Sequence, residues 1–573
     1  MRTGRIQYIK KWATVLTFSM IGGLVGGLGA IFLRVFIGQS RRLFFEIILP
    51  NITFEFHGYN LGYILLPAIG SLIVAPIILK FPDLQGNGIP EVMESVIFRG
   101  GHISGEFSLM KIIATSITIG SGGSVGREGP IGFIGASLAS LLGEWFKLSP
   151  EMRKLLTTCG LAAGIAGTFN TPLAGAMFAL EVIYMGAFSI NLVPIFFAAI
   201  TGHAVTLALL KQSFEVTLPW ILTYSHIELI FFFFLGIFLG ILSAAYVKFI
   251  CSLQDWLSRR SIPKAYVLVL GGLGVGVIGM FFPEYGIFGI GYEGMSLALY
   301  GLLPISLLLL LGFAKMLATS FTLSSGHSGG IFAPSLYIGT MFGAAFGASL
   351  KLLMPSLNIN PAVYALAGMA AFFSGVTQAP LTQILMIAEL THSYSILPAI
   401  MTSSTTGFLT ARFFLEGDSV YTLKLKRKGV HLKTGKPIVL EMISVKEIMT
   451  KNPVYVYEWN TLADVEHLVG ETGHDCFPVV NERFEVIGVI GVKDFIKKSD
   501  SLKELQIKHF LTRPYAVAYP NETAEAAFEK LMKYDQNLLP VVEGPENKKL
   551  IGVITKRDIY RAYYRGIQSM YIE

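Results

Sequence analysis

The sequence predicts an all-α polytopic membrane domain of two internally repeated halves with broken helices, followed by an α/β soluble pair of motifs. Three observations carry this. Only 14% of the 573 residues are charged, against about 25% in soluble globular proteins. The apolar residues are concentrated before residue 424, in runs long enough to cross a bilayer. Both parts of the chain also repeat themselves.

The first run, Trp12 to Leu33, has 22 residues without a charge, and a transmembrane helix needs about 20. Leu229 to Val247 and Ala265 to Phe282 also qualify, and Met316 to Leu350 holds no Asp, Glu, Lys or Arg, although His327 lies in it. The start, MRTGRIQYIKK, does not fit a secretory signal, because its apolar run is too long and no small-residue cleavage site follows. Arg2, Arg5, Lys10 and Lys11 predict a cytoplasmic N-terminus, and KLKRKG (Lys424 to Gly429) predicts the same side for the far end of the membrane region. The expected location is a plasma or inner membrane. The net charge of +7 is read as orientation and contact with anionic lipid rather than nucleic-acid binding. Cys159, Cys251 and Cys476 are scattered without CxxC or zinc spacing, so neither disulfides nor a metal cluster is expected. No nucleophile–base pair or phosphate loop points to an enzyme.

Composition changes near residue 424. The sequence divides into a membrane domain (1–423), a basic linker (424–440) and two soluble motifs (441–505 and 506–573). DCFPVVNERFEVIGVIGVKDFIKK (Asp475 to Lys498) parallels QNLLPVVEGPENKKLIGVITKRDIYRA (Gln536 to Ala562). Each copy has a Pro-Val-Val strand, a turn, a Gly-Val-Ile strand and an acidic residue opening a helix. The doubled pattern resembles a CBS pair, and that resemblance implies one paired module with a site for an adenine nucleotide. The ribose-contacting pattern Gly-x-x-Thr/Ser-x-x-Asp is present as Gly552, Thr555 and Asp558; in the first motif Gly491 stands at the hydroxyl position before Asp494. Two readings stay open for Asp558: an acceptor for paired ribose hydroxyls, or a cap on its own helix.

The membrane domain repeats at offsets of 204 and 208. GREGPIGFIG (Gly126 to Gly135) overlays GIFAPSLYIG (Gly330 to Gly339), and AGTFNTPLAGAMFALE (Ala166 to Glu181) overlays SGVTQAPLTQILMIAE (Ser374 to Glu389). Repeated halves in transport proteins commonly carry the substrate site at their interface. Breaks are expected at Pro67 and Pro76, at Gly164, Gly167 and Pro172, and at Gly326, Gly329, Gly330 and Pro334. A helix broken within the bilayer is tolerable only inside protein or around an aqueous cavity. Its start exposes unpaired N–H groups and the positive end of the helix dipole, so several starts converging would bind an anion. Gly-x-x-x-Pro, with proline just inside a helix start, occurs as GNGIP (Gly86 to Pro90), GREGP (Gly126 to Pro130) and GIFAP (Gly330 to Pro334).

GNGIPEV, GSGGSVGREGP, GGIFAP and the tyrosine of DSVYTLK resemble the signature of the CLC family of chloride channels and chloride/proton exchangers. The resemblance implies a homodimer with one anion pathway per subunit. It implies that chloride, or another small monovalent anion, touches the first turn (Asn87, Gly88, Ile89), the second (Gly126, Arg127, Gly129), the backbone at Ile331 and Phe332, and the Tyr421 hydroxyl. Asn87 stands where the family usually has serine, which bears on anion selectivity; GREGP and Tyr421 argue against the fluoride-selective branch. No cofactor is required for transport. Glu128 matches the gating glutamate. A carboxylate at a helix start is itself an anion in an anion site, so it competes with chloride until protonated. Exchangers of the family usually carry an inner proton-transfer glutamate, and here that position is Val182, preceded by Glu181, which is read as structural. On that ground the sequence favours a channel gated by Glu128, with a 2:1 chloride/proton antiporter using a non-standard proton route as the alternative. Lys315 is a candidate for tuning the anion field. His327 is read as bonding to backbone in its loop, His102 and His226 as loop residues, and Phe231 to Phe234 as lipid-facing.

Overall fold

A computed structural model of the chain describes residues 2–185, 192–210, 222–260, 262–428, 430, 432–433, 436–437, 440, 443–491, 503–511, 515–544 and 547–572. It divides into two compact units, Met1–Gly435 and Lys436–Glu573.

The first unit is helical. Its first half comprises α1 (Arg2–Arg41), a single turn α2 (Leu49–Asn51), α3 (Gly62–Lys80), α4 (Ile89–Phe98), α5 (Glu106–Gly120), α6 (Glu128–Trp145), α7 (Pro150–Phe169), α8 (Pro172–Phe178) and α9 (Leu192–Leu210). The second comprises α10 (Leu229–Ser258), α11 (Lys264–Gly279), α12 (Tyr292–Leu299), α13 (Ile305–Ser324), α14 (Phe332–Leu353), α15 (Pro361–Thr377), α16 (Pro380–Thr391) and α17 (Leu397–Phe414), and α18 (Val420–Arg427) closes the unit. Among the described residues, six helices are long and apolar enough to cross a membrane, while Lys264–Gly279 and Pro361–Thr377 are apolar but shorter.

Helices α3 to α9 correspond in order to α11 to α17, and the correspondence extends to helix ends. The residue after α7 is Asn170, at φ 62°, and the residue after α15 is Gln378, at φ 59°. Both are left-handed positions that few side chains other than glycine adopt. Each is followed two residues later by a proline, Pro172 or Pro380, that opens the next helix. The expected break before Pro172 is therefore present, but Gly164 and Gly167 lie within continuous α7. Pro67 and Pro76 do not break α3, which runs unbroken from Gly62 to Lys80. The neighbouring helix holds it together: Gly272 of α11 lies against the Pro67 carbonyl and Gly276 against the backbone of Ile64. Small residues let membrane helices approach this closely, and the packing replaces what the prolines remove. Lys424 to Arg427, assigned above to a linker, form the last turn of α18, where Lys424 Nζ donates to Glu91 Oε1 at 2.8 Å and to the Gln85 carbonyl at 3.0 Å.

The second unit holds two three-stranded sheets. In one, Cys476–Val480 pairs antiparallel with Val486–Gly491 and parallel with Val456–Tyr457. In the other, Leu550–Thr555 pairs antiparallel with Leu538–Val542 and with Thr450–Lys451. The Pro-Val-Val and Gly-Val-Ile segments face each other in both copies, Pro478 opposite Val489 and Pro540 opposite Val553. Thr450–Lys451 belongs to the first motif in sequence yet completes the sheet of the second, so the two motifs interlock. The Thr461 backbone N–H donates to Asp464 at 2.8 Å at the start of the helix Leu462–Thr472 and holds that carboxyl below the usual range. Asp494 lies outside the described residues.

The crossings of α6 with α7 and of α14 with α15 are built on glycine pairs related by the repeat, Gly135 against Gly160 and Gly339 against Gly368. A side chain at Gly368 would meet the Gly343 backbone at 2.7 Å. Gly368→Leu is expected to destabilise the unit by about 1–3 kcal/mol or more, read as a lower thermal transition of the purified protein; an unchanged transition would show that the crossing is looser than described.

Candidate functional site

Three helix starts meet inside the first unit. Gly88, at φ +83°, precedes α4; Arg127 (φ −96°, ψ −14°) precedes α6; Ile331 (φ −89°, ψ −9°) precedes α14. The matching torsions of Arg127 and Ile331 are the repeat at atomic scale. The starts touch through backbone, since a Cβ on Gly129 would lie 2.8 Å from the Asn87 carbonyl oxygen. Gly126 and Gly330 form an antiparallel pair, Gly126 N–H donating to Gly330 at 2.7 Å and Gly330 N–H to Gly126 at 2.6 Å. Likewise Gly86 N–H donates to His327 and Gly329 N–H to Gly86. The loops between broken helices thus satisfy each other's backbone groups and leave the helix-start N–H groups for another acceptor.

Asn87 Oδ1 accepts the Ile89 N–H at 2.9 Å. The acceptor end of this amide is taken up by the helix start, which leaves Nδ2 as the end that can donate to an anion. Asn87 lines a cavity of about 80 Å³ together with Gln85, Lys424 and Arg427. Tyr421, in the first turn of α18, is buried and packs edge-on to Phe178, with ring centres 6.2 Å apart. Phe332 opens α14 inside a cluster with Phe169, Phe178 and Phe373 at 4.9, 5.6 and 4.1 Å. It forms the apolar counterpart of Glu128, which opens α6 in the other half.

Glu128 is fully buried. Its Oε1 accepts a hydrogen bond from the Tyr292 hydroxyl at 2.8 Å, and the backbone N–H groups of Glu128 and Ala333 lie close to its carboxyl group. The Arg127 guanidinium lies over the Tyr292 ring, 5.5 Å from its centre. The site thus brings together Asn87, Gly88, Ile89, Gly126, Glu128, Gly129 and Ile331 at contacting helix starts, with Phe332 and Tyr421 joined through Phe178.

Two lysines brace these starts. Lys111 Nζ donates to the carbonyls of Leu84 and Gly86 at 2.8 and 2.7 Å, beside the Phe133 ring. Lys315, at an offset of 204, donates to Gly286, Ile287 and Gly289 at 2.8, 3.1 and 2.8 Å, beside Tyr337. Lys315 therefore clamps a loop, its charge surrounded by carbonyls. Thr115–Ser328 (2.8 Å) and Ser124–Thr319 (3.2 Å) form a further pair of repeat-related contacts. Glu181 accepts from the N–H groups of Leu381 and Thr382 at the start of α16, at 2.9 and 2.6 Å, while Glu389 accepts from Leu173 and Ala174 at the start of α8, both at 2.9 Å. Each half caps a helix of the other. Val182 lines a cavity of about 400 Å³ with Gln378, Arg412 and Asp418.

Sequence reasoning did not find Tyr292, Lys111 or the cross-capping. The signals were a fourth start, GIGYE (Gly289 to Glu293), lying 203 residues beyond GNGIP without its proline, and Lys111 lying 204 before Lys315. The ring of His327 bonds to hydroxyls of Ser71 and Ser325, both at 2.8 Å, in addition to a backbone contact with Thr322. The ring is buried, and the two hydroxyls meet its two nitrogens. Phe233 and Phe234 are exposed as expected, but Phe232 is buried and stacks on Tyr364 at 4.3 Å. In the second unit Thr555 and Asp558 cap their helix reciprocally, Thr555 Oγ1 donating to Asp558 Oδ2 at 2.6 Å and Asp558 N–H to Thr555 Oγ1 at 3.2 Å.

Buried helix starts facing one another, a carboxylate set among them and repeated halves define a membrane protein that moves small anions. The chain belongs to the voltage gated chloride channel family, whose model matches residues 69–412, and CBS domain models match 445–501 and 507–565. It is 31% identical over 370 residues to a putative chloride channel protein ClcB-like of Ralstonia nicotianae, covering 64% of this chain and 85% of that protein. It is 30% identical over 452 residues to the H(+)/Cl(-) exchange transporter ClcA of Vibrio campbellii, covering 74% and 92%. Among solved structures it resembles a slow cyanobacterial Cl-/H+ antiporter at 26% identity and a TM-score of 0.64, covering 72% of this chain and 97% of that one.

Removing one cross-cap leaves two helix N–H groups without their acceptor. Glu181→Ala is expected to lower stability by about 1–3 kcal/mol while chloride affinity, measured calorimetrically on the folded protein, is retained. A loss of chloride binding at unchanged stability would contradict the structural role.

Proposed function

We propose that this protein exchanges chloride for protons across a plasma or inner membrane, as a homodimer with both termini in the cytoplasm. The observation that carries this reading is the burial of the Glu128 carboxylate among helix starts that would otherwise hold an anion. An anion cannot occupy that place until the carboxyl group leaves. A carboxylate held by dipoles in a low-dielectric site leaves most readily when a proton neutralises it. Anion entry and proton binding are then two sides of one event. The printed names of the ClcA relative and of the cyanobacterial antiporter support the same reading.

Two cavities lie along α18. One is lined by Asn87, whose amide can donate to an anion, with Lys424 and Arg427 paired to Glu91 and Asp255, and the other by Val182, Gln378 and Asp418. Chloride passes by the first and protons by the second, carried by water past Val182 because valine binds no proton. The second reading is a passive channel gated by Glu128. Val182 favours it, as does the name of the Ralstonia relative. The soluble unit regulates transport by binding an adenine nucleotide near Thr555 and Asp558.

Reversal potentials of the purified protein in liposomes, under opposed chloride and pH gradients, decide between the readings. Exchange predicts a reversal potential displaced from chloride equilibrium by the proton gradient, and Glu128→Gln is expected to abolish that displacement. A native reversal potential at chloride equilibrium would establish the channel. For the soluble unit, ATP titrated into the full-length protein is expected to bind, and Asp558→Ala to weaken binding at least tenfold; no heat of binding in the native protein would remove the nucleotide role.

A further inference from the structure

Glu128 is held from a direction that the anion signatures do not include. Tyr292 is the first residue of α12 and follows Gly291, whose φ of +102° matches the +83° of Gly88 before α4. By the repeat, the Gly289 to Glu293 turn is the mate of the GNGIP turn, and Tyr292 is the mate of Ile89. Where the first half places an apolar side chain, the second places a phenol hydroxyl. Tyr292 is 5% exposed and Glu128 0%. The turn is rigid: Lys315 clamps the carbonyls of Gly286, Ile287 and Gly289, and the Tyr337 hydroxyl donates to Tyr285 at 2.7 Å. The Arg127 guanidinium covers the ring of Tyr292.

We propose that Tyr292 is a latch for Glu128: its hydroxyl, donating to Oε1 at 2.8 Å, holds the carboxylate in the pathway and sets how strongly it competes with chloride. This rests on the reading of Glu128 as the gate. A donor favours the charged acceptor over the protonated one, because hydrogen bonds to charged groups are the stronger class. The latch is therefore tight when Glu128 is ionised and slack when it is protonated. Among the described residues, the other ionisable groups that act on Glu128 are Arg127 on its own turn, Lys315 on α13 and Tyr421 on α18. Lys315 is engaged by carbonyls, and of the two tyrosines only Tyr292 has a hydrogen bond to the carboxylate. Tyr292 is a positioning residue, since it acts on the anion through Glu128.

Tyr292→Phe removes one oxygen and keeps the ring under Arg127. A charge-assisted hydrogen bond of this kind corresponds to roughly a tenfold change in an equilibrium constant or somewhat more. Calorimetric chloride binding and chloride flux across a pH series are to be measured on the full-length protein, native and Tyr292→Phe, each also in a Glu128→Gln background. In the native background Tyr292→Phe is expected to tighten chloride binding about tenfold and to lower the proton concentration that half-activates flux by a similar factor. In the Glu128→Gln background it is expected to change neither. The latch is refuted if Tyr292→Phe leaves both unchanged in the native background, if the same shift persists without the carboxylate, or if chloride binding weakens in Glu128→Gln, which would make Tyr292 an anion ligand. If Glu128→Gln alone keeps the native pH response, the gate role fails and the latch with it.

Discussion

The pair of hydrogen bonds between Gly126 and Gly330 is the constraint on which the rest of the site depends. A helix that stops within the bilayer leaves donors and acceptors that lipid cannot satisfy. Here the broken ends of the two halves satisfy each other, with two bonds at 2.6 and 2.7 Å across the internal repeat. That settles the loops and frees the helix-start N–H groups to face inward. The two lysine clamps and the Thr–Ser pairs extend the same solution outward. The meeting helix starts are thus held by backbone, and the nearest buried lysines serve as girders for the loops.

Symmetry in the scaffold gives way to asymmetry in the site. Glu128 and Phe332 occupy equivalent first positions of α6 and α14, as Ile89 and Tyr292 do in α4 and α12. One member of each pair is polar, and the other is apolar. The polar members are the two that meet. A pathway with a carboxylate at both equivalent positions would hold two like charges together, which neither burial nor the available donors would support.

Much of this was legible in the sequence, because glycine and proline at fixed spacing mark helix starts by steric necessity. GNGIP, GREGP and GIFAP each open a helix as expected. The prolines of α3 carried the opposite lesson: a proline marks a break only when no neighbouring backbone supports the turn, and the glycines of α11 supply that support from 200 residues away. Tyr292 was illegible for a related reason. Its turn lacks the proline, and its role depends on a partner 164 residues distant. Lys111 was illegible because the carbonyls it meets, those of Leu84 and Gly86, lie outside its own helix. Glu181 was assigned a structural role, but its partner in the other half could not be named from spacing alone.

The crossed caps of Glu181 and Glu389 bear on how the chain is assembled. Glu181 reaches the start of α16 and Glu389 the start of α8. When the ribosome has delivered the first half to the membrane, the start of α8 has no carboxylate to receive its N–H groups, and Glu181 has nothing to hold. Neither defect can be repaired until residue 389 has been synthesised and inserted. The first half, ending at Leu210, must therefore wait, incomplete, until Glu389 arrives 179 residues later, and the same bonds that complete it lock the second half in register. A chain severed between the halves would have to bring its pieces together before either could reach its native state.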